Sequence, residues 1–75
     1  MARTLEIRAG EILRELRLER DMSQQALADA CEMERTHISA IERAVRTPSL
    51  STIFKLAEVL GIKPSEFIRL VEERK

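Results

Sequence analysis

Between residues 35 and 46 the chain concentrates hydrogen-bond donors: Arg35, Thr36, His37, Ser39, Arg43 and Arg46, followed by Thr47. A single acid, Glu42, interrupts them. Guanidinium groups are planar, permanently charged forks that engage phosphates and paired acceptors through two hydrogen bonds at once. The chemistry on offer is therefore recognition of an anionic or acceptor-rich partner, not the making of bonds. Arginines along a helix also describe an ordinary solvated face, so the surrounding pattern has to decide between the two. Groups suited to catalysis are thin. Cys31 is the single cysteine and falls on the inward face of the helical pattern, as a small buried hydrophobe does. His37 has no partner pattern for metal binding or catalysis and fits a surface histidine or a titratable phosphate contact equally well. Ser23, Ser49 and Ser51 stand where helices begin and read as caps, not nucleophiles. Paired acids, metal-ligand spacings and glycine-rich loops are missing, so no enzyme, metal site or cofactor is expected.

These groups have to be positioned by 75 residues. A chain of that length makes one domain, read here over residues 1–75, and buries only about 60% of the surface its unfolded state exposes. Thirteen basic residues balance thirteen acidic ones, which excludes a partner held by bulk charge alone and a basic membrane-surface peptide. Charged residues are 35% and hydrophobic ones 44%, the balance of a soluble globular domain. Two glycines and two prolines are too few for a turn-rich β-sandwich. A single cysteine leaves no internal disulfide framework. The longest apolar run is Ala26-Leu27-Ala28, so no membrane span is expected. Residues 1–10 lack the apolar block of a leader. A cytoplasmic, nucleoid-associated location follows as the expectation.

Helical periodicity runs through the chain. Ala9, Leu13 and Leu16 follow helical spacing between charged residues from Ile7 to Arg20. Ser23 can cap a second helix that ends near Cys31, with Met22 and Leu27 placed for a hydrophobic staple. A third begins near Arg35, with Ile38 and Ile41 inward. Thr47-Pro48-Ser49 breaks the pattern, because the residue before a proline avoids helix. Leu50, Ile53, Leu56, Ala57 and Leu60 then form an inward stripe closed by Gly61. Pro64 suits the first position of a last helix over about 64–74, carrying Phe67, Ile68, Leu70 and Val71. No stretch alternates with period two. Five short helices, all-α, is the architecture this predicts.

Residues 23–43 meet the requirements of a helix-turn-helix one after another. Two helices of about eight residues are joined by about three. Ala28 is small where the helices must cross. Leu27, Cys31, Met33, Ile38 and Ile41 can pin both to the domain. Arg35, Thr36 and Ser39 keep the first turn of the second helix polar, as a surface facing base edges must be.

At these residues the sequence resembles the lambda-repressor-like (XRE) family of bacterial and phage regulators. The matching residues are Ser23-Gln24-Gln25-Ala26-Leu27-Ala28, Ile38-Ser39 and Ile41-Glu42-Arg43, then Arg46, Pro48-Ser49-Leu50-Ser51-Thr52, Leu56-Ala57-Glu58 and Leu60-Gly61. Within the family, Arg35-Thr36-His37-Ile38-Ser39 with Ile41-Glu42-Arg43 is most similar to restriction–modification controller proteins. The resemblance implies five helices, the third lying in the major groove of double-stranded operator DNA. By position, Arg35, Thr36 and Ala40 become base-facing residues, with Ser39 nearby. Arginine can bond guanine O6 and N7 together. Gln24 opens the second helix, where a phosphate is favoured. Arg43, Arg46 and Thr47 fit phosphate contacts, and His37 lies among them. Glu42 would be an odd acid on that surface; the family pairs it with a first-helix arginine, here Arg17, and a partly buried acid needs such a partner.

The sequence departs from the family's pattern at three turns, with Glu32 and Ala44 where glycine is common and Glu34 where a Ser or Thr cap is common. If φ is positive at such a position, a residue other than glycine costs about 1 kcal/mol. Neutrality is compatible with DNA because charge is uneven: three arginines and one acid over residues 35–46, against Glu58, Glu66, Glu72 and Glu73 in the last third. Phe54, Ile68, Leu70 and Val71 exceed what so small a core can cover and are read as a homodimer interface. The implied function is a dimeric, sequence-specific transcription regulator (repressor or activator, with RNA polymerase a further partner in the second case) reading a palindromic operator. An antitoxin-like or adaptor module with another protein as its main partner is the alternative.

Overall fold

The computed structural model describes residues 4–75; Met1–Arg3, which the one-domain and leader readings include, lie outside them. The described residues form five helices: α1 (Leu5–Glu19), α2 (Gln24–Ala30), α3 (Arg35–Glu42), α4 (Leu50–Leu60) and α5 (Pro64–Glu73). Each start has a local cause. Thr4, Ser23 and Ser49 turn their hydroxyls onto the backbone N–H groups of Ile7, Ala26 and Thr52, satisfying donors that have no partner inside the helix. Pro64 opens α5, where its missing N–H and fixed φ cost nothing.

Each of the first four helices ends in a left-handed residue: Asp21, Glu32, Ala44 and Gly61, with φ of 53°, 55°, 62° and 77°. In each case the following N–H reaches back to a carbonyl of the last turn: Met22 to Arg17, Met33 to Ala28, Val45 to Ala40 and Ile62 to Ala57. This is the Schellman closure. Only Gly61 is the residue type that adopts it without strain. Glu32 and Ala44 thus hold the strained conformation considered for them, and Asp21 is a third such position.

The core joins all five helices: Ile12, Leu13 and Leu16 from α1, Leu27 and Ala28 from α2, Ile38 and Ile41 from α3, Leu56 and Leu60 from α4, Phe67 and Val71 from α5. Fully burying one such side chain stabilises the fold by about 1.5–3 kcal/mol. Two residues depart from the sequence reading. Leu50, assigned to the inward stripe, is 68% exposed. It is the first residue of α4, and helical spacing sets the direction of a side chain without supplying anything to cover it. Val71, assigned to a dimer interface, is only 5% exposed; it packs into the monomer core beside Phe67. Leu70 is half-buried against that core, whereas Phe54 and Ile68 are 55% and 45% exposed.

Candidate nucleic-acid interface

The third helix is fixed from beneath. Ile38 and Ile41 are buried, and Gly10 of α1 lets the two helices touch: a Cβ there would lie 2.5 Å from the carbonyl oxygen of Ile41 and 2.9 Å from that of Glu42. Glu42 is clamped by Arg17, whose Nε donates to Oε2 at 2.7 Å and Nη2 to Oε1 at 3.0 Å. Both side chains are below a tenth exposed, and the carboxylate raises the arginine's pKa further above its ordinary value. The remaining Nη1 donates to the Met22 carbonyl at 2.8 Å. One guanidinium thereby ties α1, the entry to α2 and the end of α3 together. Glu42 is consequently removed from the outer surface.

With the inward side fixed, the outward side follows from helix geometry. At about 100° per residue, Arg35, Ser39, Arg43, Thr36 and Ala40 fall within one arc of about 140°, Ile38 and Ile41 lie on the other side, and Glu42 stands at the boundary beside Arg35. Arg35, Thr36 and Arg43 are exposed, Ser39 and Ala40 half-buried. Ser39 Oγ accepts from Arg43 Nε at 3.2 Å. Past the helix end, Arg46 and Thr47 are exposed too. His37 lies at the edge of the inward arc. It lines a shallow depression with Glu34, Thr36 and Arg46. Burial and the neighbouring Arg46 charge lower its pKa below the ordinary 6.5, with Glu34 opposing. A polar, arginine-bearing ridge on a rigid base is the result, with short side chains at its centre that let it approach an edge closely.

A helix-turn-helix family profile matches residues 13–67. This chain belongs to the lambda-repressor-like helix-turn-helix family. Control protein C.BamHI of Bacillus amyloliquefaciens is 38% identical to it over 69 residues, spanning 91% of this chain and 85% of that one. Control protein C.MunI of a Mycoplasma species is 37% identical over 70 residues, spanning 92% and 95%. The crystal structure of the restriction-modification controller protein C.AhdI from Aeromonas hydrophila matches with a TM-score of 0.79 at 39% identity, over 83% of this chain and 94% of that one. The similarity to controller proteins carried by residues 35–43 therefore extends through nearly the whole length of both chains.

Several of these residues also make contacts within the chain that spacing does not show. Gln24, expected to meet a phosphate, turns its Nε2 onto Glu42 Oε1 at 3.1 Å and accepts from Arg35 Nη1 at 3.4 Å. Thr47 donates to Glu6 at 3.4 Å, which brings an acid to the margin of the basic surface. Glu34 makes no side-chain cap to the start of α3; it accepts from the Thr36 hydroxyl at 3.4 Å. Cys31 is buried, and burial raises its thiol pKa, as fits a small apolar side chain of the core. Among the described residues no cluster of His, Cys, Asp and Glu is arranged to hold a metal ion, and no helix is long and apolar enough to cross a membrane.

The structure also assigns roles that spacing did not reveal. Gly10 was one: a glycine inside a helical pattern signals close packing, and that signal was present. Arg8 and Arg74 were others. Arg8 Nη1 donates to the carbonyl of Val71 at 3.2 Å, and Arg74 Nη2 pairs with Glu15 Oε1 at 2.7 Å, so both ends of the chain lock α5 onto α1. No local pattern announces contacts across more than fifty residues.

Proposed function

We propose that this chain is a transcription regulator, without enzymatic activity, that acts in the cytoplasm by inserting α3 into the major groove of operator DNA. The observation that carries the reading is the polar face of α3 held rigidly over a buried ion pair. Arg35 addresses the acceptor pair of a guanine, worth about 1–3 kcal/mol of discrimination. Thr36, Ser39 and Ala40 follow along the groove. Arg43, Arg46, His37 and Thr47 face flanking phosphates, which fix register without reading sequence. Two copies related by a two-fold axis meet through the exposed apolar side chains of α4 and α5, Phe54 and Ile68. They read half-sites about one helical turn apart. The similarity to controller proteins supports an operator that governs restriction–modification genes, with RNA polymerase as a further contact when the bound protein activates.

Selection of purified protein on random duplexes at about 150 mM salt tests this, since non-specific binding is weak there. Recovery of an inverted repeat is the expected result. Absence of any enriched sequence, at low salt as well, would contradict it and favour a protein partner for the apolar face.

A further inference from the structure

Between α3 and α4 the chain carries two hydroxyls, Thr47 and Ser49. Ser49 spends its own on the start of α4, accepting from the Thr52 N–H at 3.2 Å and donating to Thr52 Oγ1 at 2.9 Å. Thr47 is exposed and caps nothing. A hydroxyl has one proton to give, and a carboxylate can only accept. Thr47 Oγ1 therefore donates to Glu6 Oε1, 3.4 Å away. Glu6 is half-buried in the first turn of α1, where the positive end of the helix dipole favours an acid. The loop does not depend on this bond for its place. Pro48 is buried and lines one apolar hollow with Leu5 and Ala9 of α1 and Phe67 of α5. The loop is thus held by packing, and the effect of Glu6 is to occupy a donor.

We propose that Glu6 is a built-in competitor for DNA phosphate: its carboxylate holds the Thr47 hydroxyl in the free protein and has to release it before a backbone phosphate takes its place. This rests on the reading of Thr47 as a phosphate contact beside α3. Two anionic acceptors cannot both receive one proton. A phosphate arriving at Thr47 also meets the Glu6 charge well inside the screening distance of about 10 Å. Phosphate contacts supply affinity for any sequence, and base contacts supply preference. A competitor for phosphate draws on the first and leaves the second intact. The hold on bulk DNA is weakened, the operator loses an equal factor, and the operator complex depends more on Arg35 and its neighbours.

The test is a double-mutant cycle of Glu6→Ala with Thr47→Val, which keeps the branched side chain and removes the hydroxyl. Each protein is titrated against the selected operator and a scrambled duplex at about 50 mM salt, where non-specific complexes also form. Glu6→Ala should tighten both duplexes about three- to tenfold, the range of one exchanged hydrogen bond. In the Thr47→Val background the same substitution should gain about twofold or less, because the contested donor is gone. No tightening, tightening confined to the operator, or an equal gain in both backgrounds would overturn the proposal. Glu6→Gln keeps the length of the side chain and removes its charge. It must tighten both duplexes as well, and it serves as the second variant if alanine disturbs the first turn of α1. Wild type that selects no sequence at all would instead overturn the DNA-binding reading on which the proposal stands.

Discussion

Arg35 and Arg46 carry the same group, and the proposed function gives it two different tasks. The first begins α3 and donates to the Gln24 side chain; the second lies beyond the helix, exposed beside His37. Arg35→Ala should weaken operator binding by about 1–3 kcal/mol and relax preference at one base pair per half-site, read by titrating operator variants. Arg46→Ala should weaken all duplexes alike and lower the salt slope by about 1. Exchange of those two signatures would contradict the assignments. His37 offers a pH test. Its folded-state pKa lies below 6.5 because burial and Arg46 disfavour its charge. The unfolded chain therefore binds the proton more readily, and folding stability rises with pH across that interval. Stability is complete above about pH 6.5 and declines as pH falls through the folded pKa. Denaturation at a series of pH values should show the decline in wild type and lose that component in His37→Gln.

The helices set two glycine substitutions against each other. Ala44 holds φ of 62°, so Ala44→Gly should stabilise by about 1 kcal/mol, which raises Tm by roughly 4–8 °C in a domain of this size. Gly10→Ala should act in the opposite direction, by about 1–3 kcal/mol, because the new methyl meets carbonyls of α3 at 2.5 and 2.9 Å. Thermal melts of both variants check the pair of signs. Much at this scale was legible. Ser23, Ser49, Pro64 and Gly61 mark element ends through local chemistry, and the inward residues of α2 and α3 follow spacing alone. Leu50 and Val71 were misplaced for one shared reason: periodicity says which way a side chain points, and burial depends on what another element places over it. The Gln24–Glu42 contact was illegible for a related reason. A residue at a helix start with exposed N–H groups suggests a phosphate, and only the assembled α1–α3 pair shows an acceptor already waiting for its amide.

At the scale of the molecule, the proposed pairing draws on apolar residues left outside the core. Phe54 and Ile68 stay exposed after α5 has contributed Phe67 and Val71 to the monomer, and small domains commonly recover missing core by association. Ile68→Glu should leave the fold intact, since the residue is 45% exposed, and should shift sedimentation to that of a monomer. Affinity for a duplex with two half-sites should fall by about a hundredfold as the linkage between them is lost. An unchanged oligomer would place the interface elsewhere. The central claim remains that α3 reads the major groove from two related copies, and guanine methylation interference on the selected operator tests it most directly. Modification at N7 lies in the major groove and removes an acceptor that Arg35 requires. The account predicts one interfering guanine per half-site, the two separated by about one helical turn, and no N7 interference at these guanines with Arg35→Ala. Interference confined to minor-groove adenine N3, or none at either guanine, would contradict it.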